Sequence, residues 1–320
     1  MLILLKKLRY IILMLLLISL ISFLAIHAAP NSFFGAGELN PNMTEEAIAK
    51  LKAVYGLDKP LYQQYADWVL NLAQFNFGIS FVSGAEVSDE IVKRLPITLL
   101  LNILSMVLVF VISIYLGVKA ALSHGSWLDY GIRQLSLVSF AMPSFYLALL
   151  LMLLLSVELE WLPIAGLHSV DAKEGFAYYT DMAWHLVLPI GVMVFVSLGS
   201  MIVYIRALTL EILKSDYYYF ARSRGLSDTI LLRRYILRNL IPPVVTLLGL
   251  SLPGLIGGSV ILETIFSIEG MGQLFYLSAL SRDYPVIMGI LIITAFLTLL
   301  GNMMADMILL KLNPYAKREN

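Results

Sequence analysis

The 320-residue chain contains no cysteine, so no disulfide can brace its outer segments and no thiol chemistry is available. Histidine is almost as scarce. His27, His124, His168 and His185 are the only four, and no two are spaced as ligands on one helix face, which argues against a protein-built metal cage. No Gly-Lys pair occurs anywhere, so there is no Walker A loop to cradle a nucleotide. The HExxH and GxSxG patterns are absent. No Ser/His or paired-carboxylate set lies at matching depth in the apolar stretches, which argues against an intramembrane enzyme. Charge is in short supply too: 14% of residues, where soluble domains carry about 25%.

Apolar residues fill the gap, at 59% of the chain and a mean hydropathy of +0.84. Lys6, Lys7 and Arg9 precede an apolar run from Tyr10 to Ala29. The run exceeds a signal peptide's usual core of about 7–15 residues, and Pro30 follows the Ala28-Ala29 pair, so it reads as a retained first span. Residues 30–95 hold no run able to cross a bilayer. Thr44 can cap a helix ending near Gly56, and Asp58-Lys59-Pro60 opens a second with Leu61, Tyr65, Trp68 and Leu72 on one face. Five further apolar stretches, at 97–121, 134–157, 185–206, 240–262 and 286–310, approach the ~20 residues a spanning helix needs. The expectation is an all-α integral membrane protein with six transmembrane helices. Its divisions are 1–30 (inner end and first span), 31–96 (a small helical segment outside the membrane) and 97–320 (a five-helix core).

Sidedness follows from the basic residues. With both termini in the cytoplasm, 15 of 22 basic residues lie inside and 16 of 22 acidic residues lie outside. Reversal would break the rule at almost every loop.

Within the spans, Pro143 and Pro189 suggest bent helices. Pro253, Gly254, Gly257 and Gly258 fall in the middle of the fifth span. They suit close helix packing, a bend lining a passage, or both. Asp306 reads as an inner-edge residue near Lys311, Arg206 and Glu211 flank the inner end of the fourth span, and Glu263 reads as a cap at the outer end of the fifth. None of these forms a proton relay through the midplane, which weakens the alternative of a proton-driven secondary carrier.

The most informative stretch is Lys214–Pro243, placed inside by the charge rule within the loop 207–239. Its pattern predicts two short helices joined at a glycine. Asp216 can cap the first, Gly225 ends it, and Ser227 or Asp228 caps the second. Arg222, Arg224, Arg233, Arg234 and Arg238 face outward in this reading. A cationic hairpin can lie on anionic lipid or dock into a soluble partner.

These residues resemble the cytoplasmic coupling ("EAA") loop of permease subunits in ATP-binding cassette (ABC) importers. The likeness rests on Ala221, three residues, Gly225, then a basic helix ending at Pro242. The closest branch is the dipeptide/oligopeptide/nickel permeases. Tyr219 and Phe220 depart from the small residues that most ABC permeases carry before the alanine. GLDKPLYQQYADWV at 56–69, FGISF at 77–81, RLPITLLL at 94–101, WLPIAG at 161–166, HLVLP at 185–189, ETIF at 263–266 and RDYPVI at 282–287 extend the resemblance over nearly the whole chain.

The resemblance implies a type I ABC importer-like subunit in the inner membrane, with 31–96 as its periplasmic segment. It further implies a second related permease subunit, two ABC ATPase subunits that bind the ATP, and a periplasmic or extracellular solute-binding protein. Membrane lipid is the remaining partner; no cofactor of its own and no nucleic-acid partner are expected. Asp216, Tyr217, Phe220, Ala221, Arg222, Arg224, Gly225 and Arg234 become the candidate ATPase-coupling residues. In this reading Tyr217 to Ala221 pack inside an ATPase groove while arginines pair at its rim. The implied solute is a di- or oligopeptide, with nickel or a metal chelate as the alternative.

Overall fold

A backbone in lipid must satisfy its own polar groups, and a helix does so within one segment. The computed structural model follows this rule. It describes residues 2–28, 58–170, 174–251 and 259–312. Among these lie α1 (Leu2–Ala28), α2 (Leu61–Ala73), α3 (Val87–Leu122), α4 (Trp127–Ala141), α5 (Ser144–Leu151, extended by a π-helical Met152–Glu158) and α6 (Phe176–Leu213). Then come α7 (Asp216–Ser223), α8 (Asp228–Ile230, running into a π-helical Leu231–Leu237), α9 (Arg238–Ser251), α10 (Val260–Ile265), α11 (Met271–Ser281) and α12 (Tyr284–Leu312). One isolated bridge, Ile79 with Glu86, is the extended pairing among the described residues.

Arg9–Ala28, Val87–Leu122, Phe176–Leu213 and Tyr284–Met304 are each long and apolar enough to cross a membrane. α4 and α5 qualify only as a pair, bent by 101° at their junction. Pro143 stands at that junction as the cap residue of α5, with φ −62° and ψ 135°. A proline disfavours the helical conformation for the residue before it, and Met142 is extended accordingly. By contrast α6 continues through Pro189 as one helix. The stretch 240–262 includes residues 252–258, outside the described residues, with α9 and α10 on its flanks. Pro253, Gly254, Gly257 and Gly258 therefore lie outside the described residues, as does the helix expected over 44–56.

The chain divides into two compact units, residues 1–98 with 269–300, and residues 99–268 with 301–320. In the first, α2 lies against the end of α1. The Ser19 and Tyr65 hydroxyls are 2.9 Å apart, the Tyr65 hydroxyl donates to the Leu16 carbonyl, and the Phe23 and His27 rings lie 4.0 Å apart. Asp67 accepts from Lys59 at 2.7 Å, and that bond holds the Lys59 ammonium above the ordinary lysine pKa. Buried Asp283 accepts from the Ser80 hydroxyl and from the backbone N–H groups of Phe81 and Val82. This carboxylate fixes the turn that leads into α3.

The second unit is built on α6. Gly117 of α3 meets Ile205, where an added Cβ would stand 2.8 Å from the Ile205 Cβ. Gly199 meets α4, where a Cβ would stand 2.8 Å from the Phe140 nitrogen. Such approaches need glycine because the opposing atoms are crowded, and small residues let helices pack closely in membranes. The Ser139 hydroxyl donates to the Phe195 carbonyl and accepts from the Gly199 N–H, inserting itself into the α6 ladder. Arg206 grips Asp129 with two 2.7 Å bonds, and its Nη2 is 3.0 Å from His124 Nδ1, which ties the α3–α4 turn to α6. Glu263 does not serve as the expected helix-end cap. It is fully buried and accepts from Ser259, which in turn accepts from the Asn102 amide. Burial of a carboxylate requires such hydrogen bonds.

Candidate functional site: a basic helical hairpin

The hairpin begins where α6 stops. Ser215 occupies the cap position of α7, with its hydroxyl turned back to the Ile212 carbonyl and its own carbonyl accepting from Tyr218 and Tyr219. The expected cap, Asp216, sits one residue further on. There its charge faces the positive end of the helix without capping it through the side chain. Gly225 turns the chain with φ +73°, a left-handed conformation that L-residues adopt only at a cost. Its N–H returns to the Arg222 carbonyl. Ser227 then takes the cap position of α8 through backbone bonds to Ile230 and Leu231, with no bond from its side chain.

Burial divides α7 into two faces. Tyr218 and Ala221, three residues apart, are buried inside the chain's own core. They share one cluster with Leu231, Ile236 and Leu240, with Ile205 and Ile212 of α6, and with Phe110 and Val118 of α3. Away from lipid, each such aliphatic side chain contributes about 1.5–3 kcal/mol by leaving water. Tyr217, Tyr219 and Phe220 point outward, the last two at 68% and 64% exposure. Their rings meet edge to face at 6.2 Å. Arg222, Arg224, Arg233, Arg234 and Arg238 are all on the accessible side of the hairpin or only partly covered. The expectation that Tyr217 to Ala221 would together enter a partner's groove is thus corrected. Tyr218 and Ala221 are occupied internally, and the free apolar surface is Tyr217, Tyr219 and Phe220.

Helical geometry explains this partition. Positions 218 and 221 fall on the face toward the α6 foot, while 219 and 220 rotate about 100° per residue away from it. A cavity of about 300 Å³ lies beside the hairpin, lined by Glu211, Ser215, Tyr217 and Asn239 among others. The segment after the turn is π-helical from Leu231 to Leu237, an uncommon geometry that often marks functional positions. The sequence carries no sign of it.

Described residues that are mostly helical, with several lipid-length apolar helices and an amphipathic basic hairpin, define a multi-pass α-helical membrane protein. The comparisons narrow this. Residues 110–318 match the family described as binding-protein-dependent transport system inner membrane component, and residues 1–102 match its N-terminal companion. The chain belongs to this family. It is 38% identical over 298 residues to the oligopeptide transport system permease protein AppB of Bacillus subtilis, covering 93% of each chain. It is 35% identical over 321 residues to the di/tripeptide transport system permease protein DppB of Pseudomonas aeruginosa, covering 94% of each. The metal-staphylopine import system permease protein CntB of Staphylococcus aureus is 36% identical over 274 residues, 86% of this chain and 84% of that one.

Among solved structures, the MetNI methionine ABC transporter in inward-facing conformations matches in fold. The TM-score is 0.56 at 17% identity, over 70% of this chain and 96% of the matched chain.

The protein is accordingly a multi-pass inner-membrane permease component of an ABC importer. It is a transport subunit, not an enzyme, and it works with separate ATPase subunits and a solute-binding protein.

Proposed function

We propose that this chain forms half of a peptide-conducting pathway and that its hairpin, within 207–239, receives the mechanical stroke of an ATPase subunit. The observation that carries this is the two-faced α7. Exposed Tyr217, Tyr219 and Phe220 supply apolar surface for a partner's groove, and Arg222, Arg224 and Arg234 supply charge for its rim. Buried Tyr218 and Ala221 link that surface to α3, α6 and α9. A push on α7 is therefore delivered to the feet of three helices, and ATP-driven closure of two ATPases would tilt them between inward-open and outward-open states.

In this scheme a second related permease subunit completes the pathway. ATP stays on the ATPase subunits, and both termini of this chain face the cytoplasm. Lipid covers the exposed apolar surface of α1. Pro143 marks a bend beside the pathway; Pro253, Gly254, Gly257 and Gly258 are assigned to the pathway on sequence grounds. The peptide assignment draws on the likeness to AppB and DppB. Import of a metal chelate is the second reading, favoured by the likeness to CntB.

The test replaces the exposed aromatics. Tyr219→Asp with Phe220→Asp is expected to leave the subunit in the membrane while ATPase subunits no longer co-purify with it. Normal co-purification and uptake would refute the coupling role. Uptake of a labelled tripeptide against a labelled metal chelate, by the complete system, separates the two solutes.

A further inference from the structure

The face of α3 formed by residues 102, 105, 106, 109 and 110 has helical spacing, as has the face of α6 formed by 193, 197, 200 and 201. The two faces, with Ser251 of α9, line a half-open cavity of about 350 Å³, within the size range of about 300–1,000 Å³ typical of small-molecule sites. It lies on the N-terminal side of the Gly117–Ile205 contact, where an added Cβ would find no room between the helices.

Its polar lining is Asn102, Ser105, Ser197, Ser200 and Ser251, all uncharged. Met106, Met193 and Met201 supply much of the rest. The Ser105 hydroxyl reaches the Met193 sulfur across the gap at 3.6 Å. Asn102 is held from behind, since its amide donates to Ser259 and Ser259 donates to buried Glu263. Further along α3, fully buried Ser113 carries a hydroxyl with no partner among the described residues.

We infer that this cavity is a transit subsite that recognises the peptide group itself. The inference rests on the peptide reading above and deepens it. A hydroxyl can donate or accept, so serines and an amide match both the N–H and the C=O of a backbone amide. Those groups are the constant part of any peptide. The variable part is its side chains, and flexible, polarisable methionines adapt to many shapes. The lining carries no charged group, so what it can recognise in a peptide is the neutral amide and not the charged termini. A bare cation entering here would lose hydration without a compensating group. No group of metal-ligating side chains occurs among the described residues. The Glu263–Ser259–Asn102 chain acts as positioning support, fixing the amide at the cavity wall.

The experiment uses the complete importer, with its own binding protein and ATPase subunits, reconstituted in proteoliposomes. The probes are labelled trialanine and its analogue with the second of its two amides replaced by an ester, lactic acid standing in for the last alanine, which lacks that N–H. The binding protein is the same throughout, so any change in the amide-to-ester uptake ratio between permease variants belongs to the permease. Each hydroxyl that pairs with the solute is expected to be worth about fivefold. Ser105→Ala, Ser197→Ala and Ser200→Ala combined should lower trialanine uptake roughly tenfold or more and draw the amide-to-ester ratio toward one.

Co-purification of the ATPase subunits establishes that the variant assembles, and threonine at the same positions should restore the preference. Wild-type uptake of trialanine with an unchanged ratio in the alanine variant would overturn the subsite and leave the peptide reading standing. A wild-type complex that moves a metal chelate and no peptide would overturn both.

Discussion

Replacing Gly225 with valine isolates the turn of the hairpin from everything around it. Nothing lies within 4 Å of a Cβ built at this position, so the substitution meets no steric clash. The whole penalty comes from the backbone, whose φ of +73° is left-handed. An L-residue pays roughly 1–2 kcal/mol there, and a β-branched one is a still poorer fit. One to two kcal/mol is about a 5- to 30-fold shift between the native turn and a relaxed one. The turn sets the angle between α7 and the π-helical segment that shares its core cluster, so uptake should fall by about that factor while membrane insertion is untouched. Asparagine tolerates the left-handed region better, so Gly225→Asn should retain much more transport than Gly225→Val. Uptake per unit of membrane-inserted protein is the assay. A Gly225→Val variant transporting at the wild-type rate, at equal membrane level, would refute the reasoning.

Other expectations concern the two units separately. Arg206→Met should destabilise the subunit by about 3–5 kcal/mol, because it leaves buried Asp129 without its partner. The double variant with Asp129→Asn should recover most of that loss, and a double-mutant cycle on thermal unfolding measures the recovery. Gly199→Val should force α4 from α6, since even a Cβ lies too close to the Phe140 backbone; loss of monodisperse protein on extraction is the readout. Asp283→Ala removes the acceptor of the Ser80 hydroxyl and of the Phe81 N–H, while the Val82 N–H keeps its bond to Ser80 Oγ, at about 1–3 kcal/mol per unsatisfied buried group, seen as a lowered Tm.

The hairpin was legible in the sequence because its signals are local: a glycine after a short helix, a serine before the next, arginines at outward spacing. Which face of α7 was free was not legible. Tyr217 through Phe220 are four consecutive aromatic residues, and only the position of the α6 foot decides that Tyr218 turns inward. Long-range pairs were hidden for a related reason. Asp129 and Arg206 stand 77 residues apart, and each alone passes for an ordinary loop-edge charge. Glu263 looked like a helix cap because burial cannot be read from a residue type. Gly117 and Gly199 carried no mark separating them from other glycines in apolar helices, since their role depends on what lies opposite. The serines of α3 and α6 likewise gain meaning only when the two faces are set against each other.

The lack of native cysteine makes the central claim directly measurable. Phe220→Cys and Ala221→Cys each place a single thiol on adjacent residues of α7, one exposed and one buried. The account predicts that the thiol of the Phe220→Cys variant, in the isolated subunit, reacts with a water-soluble maleimide from the cytoplasmic side. Docked ATPase subunits should protect that thiol and cross-link to it, while the thiol of the Ala221→Cys variant stays unreactive in both states. Equal labelling of the Phe220→Cys variant with and without the ATPase subunits, or labelling from the outer side of the membrane, would contradict the account.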